Sequence, residues 1–351
     1  MSITEIAKIA GVSHMTVARV VNKTGNVSPE TVDKVRRVMM SVGYTPKPPE
    51  QRRGPRKSQA SGFKTGNVAF ITSAQGLHIL GGSPVMMSVV RGIEETLAFY
   101  GMSMIQCVVN SNRELPPIIT RGEVDGVIIW PSLDGASQET IQILSNYQRV
   151  YVMTGREKYL PGDRVLNDNE QVGILAANYL LSKGHSNLIQ IDSSERDRHR
   201  SSWVERWYGF EETAANAIVN RVLLTIDANE TLLPRVSNEQ EICESLSDVL
   251  VGKNKPTGIF CTCDATTAII YPLLRRIGIN VGRDVEIVSC NNETSILTGL
   301  DPMPASIDIC PEKIGAKAVE QLRWRIIHPD HEYRMLIEIK PRLVTESERR
   351  I

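Results

Sequence analysis

Residues 11–22, GVSHMTVARVVN, set an imidazole and a thioether side by side at His14 and Met15, with the guanidinium of Arg19 shortly after. A stable surface helix would normally carry Glu or Lys there. These groups donate, accept and make apolar contact, which is chemistry for recognition; the plainer reading is a hydrophobic staple that finishes a helix start. Reaction chemistry has no comparable foothold. There is no GxSxG elbow, HExxH helix or Walker loop, and ILGGSPV has two glycines without GxGxxG spacing. His328 and His331 in HPDH stand beside a proline without a third ligand nearby, so a surface loop is expected, with no metal and no cofactor. The chain reads as a non-enzyme.

Three short helices must position those side chains. Ser2 and Glu5 have capping-box spacing, Ile3, Ile6, Ala7 and Ala10 follow at helical intervals, and Gly11 ends the first helix. Ser13 is placed to cap a second helix whose inner face is Val17, Val20 and Val21. Ser28 and Pro29 open a third that runs through Val32, Val35, Met39 and Val42 to Gly43. Two amphipathic helices joined by about four residues containing a glycine match the helix-turn-helix pattern, in which the N-terminal part of the second helix enters the DNA major groove.

Charge supports a polyanion partner. Formal net charge is zero, yet residues 1–66 hold 12 Lys and Arg against 4 Asp and Glu, and the remainder holds 28 against 36. TEIAKIAGVSHMTVARVVN followed by VSPETVDKVRRVMMSVGYTP resembles the headpiece of the lactose/purine repressor (LacI-type) family. By that resemblance His14, Met15 and Arg19 occupy base-reading positions, and Ser13, Thr16 and Asn22 occupy phosphate-contacting ones. The resemblance implies a double-stranded DNA operator as partner.

The linker departs from the family. Where a short hinge helix with a leucine wedge is usual, this chain reads YTPKPPEQRRGPRKSQASGFKTGN, whose prolines remove backbone donors at spacings no useful helix tolerates. Arg52, Arg53 and Arg56 then suit a minor-groove arm; a simple basic tether is the other reading.

Beyond residue 66, eight buried-type runs recur every 20 to 35 residues: NVAFIT, MIQCVV, GVIIW and RVYVM, then NLIQID, RVLLTI, GIFCT and VEIVS. They argue for parallel sheets built from βαβ units, divided four and four near PGDRVLNDNEQVG. The expected fold class is α/β: a three-helix helix-turn-helix headpiece plus a two-subdomain, doubly wound, periplasmic-binding-protein-like core. The expected domains are a headpiece at 1–46, a Pro/Arg-rich linker at 47–65, and an effector-binding and dimerisation core at 66–351.

Landmarks such as VDGVIIWP, VLNDNEQVG, RWYGFEE and VEIVSCNN resemble the same family's regulatory core. By resemblance Arg206 matches an arginine that holds ligand hydroxyls or carboxylate, Arg200 falls near a second ligand position, and Asn291 stands where a ligand-binding Asp is usual. Cys263 precedes Asp264 where an Asn is common. Trp130, and with it Trp203, could supply a stacking face, although ordinary packing beside the cleft is an equal reading.

Six cysteines without a CxxC pair suggest buried free thiols, and no apolar run approaches the roughly 20 residues of a membrane span. The N-terminus lacks the pattern of a secretory signal, so the cytoplasm is the expected compartment. The chain therefore reads as a sequence-specific DNA-binding transcriptional regulator, a repressor in first expectation. It is expected to act as a homodimer controlled by a small-molecule effector, a sugar or related metabolite. The alternative is a cytoplasmic ligand-binding protein of periplasmic sugar-binding type without a DNA role.

Overall fold

A computed structural model describes residues 3–22, 27–44, 62–73, 80, 83–109, 114–130, 136–153, 160–193, 201–224, 226–227, 235–236, 239–252 and 255–349. The chain divides into two compact units, residues 1–57 and 58–351. Arg52, Arg53, Arg56 and Arg200 lie outside the described residues, as do Ser2 and most of the linker.

The first unit holds three helices, α1 (Ile3–Ala10), α2 (His14–Asn22) and α3 (Pro29–Ser41). Gly11 adopts φ +59°, a left-handed conformation that costs glycine little, and the amide of Val12 returns to the carbonyl of Ala7 at 3.1 Å to close α1. Ser28 caps α3 by accepting the amide of Thr31 at 3.4 Å, with Pro29 in the first turn. Ile6, Ala7, Ala10, Val17, Val35 and Met39 form the buried core, with Val20 and Val21 packed at its margin. All are small or medium side chains, so three short helices can approach closely around them.

The second unit contains two six-stranded sheets. The first subdomain begins β1 (Asn67–Ser73), α4 (Pro84–Phe99), β2 (Ser103–Val109), β3 (Gly126–Ile129), α5 (Gln138–Ser145), β4 (Arg149–Val152) and β5 (Asp163–Asn167). The second holds α6 (Asn169–Ser182), β6 (Asn187–Ser193), α7 (Ser201–Thr213), β7 (Ile218–Leu224) and α8 (Glu239–Leu250). It continues through β8 (Gly258–Cys261), α9 (Asp264–Arg276), β9 (Glu286–Cys290) and β10 (Ala305–Asp308). The chain then returns to the first subdomain with α10 (Pro311–Ile327) and β11 (Leu336–Ile339), and crosses once more to add β12 (Arg342–Val344) to the second.

Strand orders are β11-β5-β4-β3-β1-β2 and β12-β10-β9-β8-β6-β7, parallel throughout except for antiparallel β10 and β12. The eight apolar runs supply four strands to each sheet. PGDRVLNDNEQVG, expected as a break between halves, contains β5 of the first sheet, whose alternation of buried and half-buried residues hid it. The two subdomains are not consecutive halves, because residues 311–339 fold back onto the first.

Each subdomain is clamped by one pair of helices that touch through glycines. A Cβ on Gly92 of α4 would lie 2.1 Å from the carbonyl of Glu312, and one on Gly315 of α10 would lie 2.1 Å from that of Val89. Gly209 of α7 faces Glu170 of α6 equally closely. Glycine inside a helix costs about 1 kcal/mol relative to alanine, which backbone-to-backbone packing here offsets.

Candidate nucleic-acid interface and ligand cleft

In the helical unit, the Ser13 hydroxyl accepts the amide of Thr16 at 3.1 Å and lies 2.9 Å from the Thr16 hydroxyl. This fixes the start of α2. Val17 is fully buried one turn on, which turns the opposite face outward. His14, Met15 and Arg19 are all exposed, Met15 to 62% despite being apolar. No acidic residue occupies the first turn of α2, so its amide dipoles meet no carboxylate there. The helix presents a donor-acceptor ring, a flexible apolar chain and a guanidinium side by side, with a terminus electrostatically suited to phosphate. Asn22 ends α2.

In the larger unit, the carboxyl ends of the parallel strands gather the second group of residues, as open α/β sheets do. Arg206, 6% exposed on α7, donates from Nε to Asn169 Oδ1 at 3.0 Å and from Nη1 to the carbonyl of Thr262, just past β8. The side chain of Asn167 also donates to Asn169 Oδ1, at 2.7 Å. The guanidinium is thereby held by the start of α6 and the end of β8.

Asp264 opens α9 and is fully buried. Its carboxylate accepts the hydroxyl of Ser289, the hydroxyl of Ser306 at 2.9 Å and the amide of Glu293 at 2.6 Å. Burial pushes its pKa up to about 6 against the pull of those hydrogen bonds. Asp264 thus organises the strand ends. Cys263, half-buried, places its Sγ 3.1 Å from the Thr266 hydroxyl, and burial raises its thiol pKa, so it stays protonated. Cys290 is likewise pushed up to about 12.

Asn291 follows β9 with φ +107° and Asn292 with φ +57°. This strained pair turns the chain into Glu293. Asn291 Nδ2 reaches Glu293 Oε2 at 3.4 Å, and the Glu293 carboxylate also accepts the backbone N–H of Val85 in α4 of the other subdomain. Only 9% exposed, Glu293 is pushed up to about 7 by burial and, next, by the charge of Asp264. Asn291, Glu293, Val85, Ser88, Pro311 and Arg342 are among the residues lining a cavity of about 410 Å³ between the subdomains.

Trp130 directly follows β3 at the carboxyl end of the first sheet; 8% exposed, it packs with Phe70, Met86 and Ile128 in that subdomain's core. Trp203 is half-buried on α7. His328 and His331 both pack on Trp324, with Nδ1 of His328 directed at the Trp324 carbonyl.

Residues 2–47 match the family described as bacterial regulatory proteins, lacI family, and residues 177–346 match the periplasmic binding protein-like domain. The N-terminal unit thus carries a lacI-type DNA-binding segment, and the core a periplasmic-binding-protein-like one. The chain is 24% identical to the HTH-type transcriptional repressor PurR of Vibrio atlanticus, over 99% of its own length and 98% of the relative's. It is 26% identical to the HTH-type transcriptional regulator DegA of Bacillus subtilis, over 83% and 81%. Among solved structures, the lac repressor dimer bound to operator and the anti-inducer ONPF matches with TM-score 0.65 at 18% identity, over 98% of both chains. The transcriptional regulator CelR–cellobiose complex matches with TM-score 0.59 at 22% identity, again over 98% of both.

Arg206, Asn291, Cys263 and Asp264 all stand at or beside the carboxyl ends of the second sheet, while Trp130 stands at that of the first, packed into its core. Two residues escaped the sequence reading: Asn169, which holds Arg206, and Glu293, which crosses to Val85. Asn169 sits inside the segment VLNDNEQVG and Glu293 just past VEIVSCNN, yet neither is marked by spacing, because their partners lie 37 and 208 positions away.

Proposed function

We propose that this chain is a sequence-specific DNA-binding transcriptional regulator, acting as a repressor, whose operator affinity is set by a small metabolite held between the two subdomains of its core. The observation that carries the reading is the outward presentation of His14, Met15 and Arg19 on α2, within the segment 2–47 that matches the lacI family. Arg19 donates to a guanine edge, Met15 packs on a thymine methyl, and His14 donates or accepts; Ser13, Thr16 and Asn22 set the register on phosphates. One short helix reads too few base pairs for useful specificity, so the working unit is a homodimer on an inverted repeat.

The headpiece spans 1–46, the linker 47–65 and the effector core 66–351. Effector binding uses Arg206 and Asn291, with Arg200 near the same cleft, and closing the cleft changes how the two headpieces of a dimer are spaced. Cys263 and Asp264 support the cleft wall. The linker arginines Arg52, Arg53 and Arg56 add minor-groove or phosphate contacts. The protein works in the cytoplasm, and no described helix is long and apolar enough to cross a membrane.

Selection of random duplexes by the purified full-length chain tests the reading: an enriched inverted repeat is expected. Recovery of no enriched sequence overturns it and favours a ligand-binding protein without a DNA role.

A further inference from the structure

The cavity between the subdomains has an electrostatic gap at one end. Among the described residues, its lining arginines are committed elsewhere: Arg91 pairs with Glu312, and Arg342 pairs with Asp308 at 3.1 Å. Lys313, which also lines the cavity, is exposed. Arg206 donates to Asn169 and Thr262, and Arg349, whose charge reaches Asp264, donates to Asn292, Pro304 and Val344. Glu293 and Asp264 stand close together, deeply buried, and neither has an ion pair with a described cation. Asp264 is well supplied by two hydroxyls and an amide. Glu293 has one backbone amide and a long contact to Asn291, although its carboxylate lines the cavity.

We propose that Glu293 is the specificity-determining residue of this cleft and that it selects a ligand bearing a protonated amine, such as an amino sugar or amino polyol. The reasoning is a charge balance. A buried carboxylate without a cation costs far more than one that is paired, so a ligand ammonium supplies what the fold leaves out. Burial first, and the charge of Asp264 next, push the Glu293 carboxyl up to about 7, and a cation beside it would favour the ionised form. Geometry adds a consequence: the same carboxylate accepts the Val85 amide of α4, so an ammonium bound there touches the only described acidic group that links the loop after β9 to the start of α4 within this cavity. Asn291 keeps an amide oxygen for a neighbouring hydroxyl, which suits a ligand with adjacent amine and hydroxyl groups. The proposal rests on the cleft being the effector site.

The test is a thermal-shift and calorimetry screen of the full-length protein against matched pairs: D-glucose with D-glucosamine, D-galactose with D-galactosamine, and D-sorbitol with D-glucamine. Stabilisation by an amine-bearing member and not its neutral partner is expected. Glu293→Gln should weaken that binding about ten- to hundred-fold, as for loss of a buried charge-assisted hydrogen bond. Wild-type affinity for an amine such as D-glucamine, protonated throughout, should rise from pH 6 to pH 8 as Glu293 ionises, a profile that Glu293→Gln flattens. Binding of neutral members with equal affinity, an unchanged hit in Glu293→Gln, a pH profile that falls, or no amine-bearing hit overturns the proposal. Duplex selection is run on the same preparation, so loss of the regulator reading is seen separately from loss of this one.

Discussion

Gly173 of α6 faces the carbonyl of Arg206 so closely that a Cβ there would lie 2.0 Å from its oxygen. The cleft arginine is therefore positioned by a missing side chain. Gly173→Ala must push α7 away from α6 and carry Arg206 off Asn169. Destabilisation of about 1–3 kcal/mol from overpacking is expected, read by denaturant unfolding, together with weaker effector binding by calorimetry. Unchanged stability would mean that the helices separate freely.

Arg206→Ala removes the guanidinium and its hydrogen bonds to the Thr262 carbonyl and to Asn169 Oδ1, which keeps the donor from Asn167. Any ligand that raises Tm in the wild type should lose that effect in the variant. A shift of the same size in both proteins would place the ligand elsewhere.

On α2, Met15→Gln exchanges an apolar contact for a group that pairs with adenine. The enriched operator should move towards adenine at one symmetric pair of positions. Arg19→Ala should cost about 1–3 kcal/mol at a guanine position and relax the preference there. Selected sequences identical to wild type in both variants would return these side chains to packing.

The role proposed for the linker arginines is electrostatic. Replacing Arg52, Arg53 and Arg56 by Gln should flatten the slope of log affinity against log salt by about one for every phosphate that is no longer neutralised. An unaltered slope and affinity would leave the segment as a tether.

pH dependence follows from two raised carboxyls. Asp264 and Glu293 hold their protons more tightly folded than unfolded, at about 6 and about 7 against ordinary values near 4. Their contribution to stability is therefore fully present below pH 4 and is lost as pH rises towards 7. Glu293→Gln removes part of that loss and should stabilise the ligand-free protein at pH 8 by something of the order of 2 kcal/mol relative to its effect at pH 5, measured by urea unfolding.

Much of this was legible in the linear chain. Caps at Ser13 and Ser28 and stops at Gly11 and Gly43 act over three to five residues, so the headpiece could be drawn from local rules. Central strands such as β3 and β4 were visible because both of their faces are buried. β11 was not, because it lies at a sheet edge with alternating exposed residues, and β12 has only three residues.

The sequence by itself determined local units: the three headpiece helices, eight of the strands, which residues α2 turns outward, and that a basic arm precedes an acidic body. Tertiary structure alone decided what meets across the chain. It folds residues 311–339 back so that Arg325 donates to Asp163 with both fully buried, seats Trp130 in the core, and brings Glu293 to Val85. The reason is physical: periodicity and capping depend on neighbours a few residues apart, whereas burial and charge depend on every element that closes around a group, and no spacing along the chain records that.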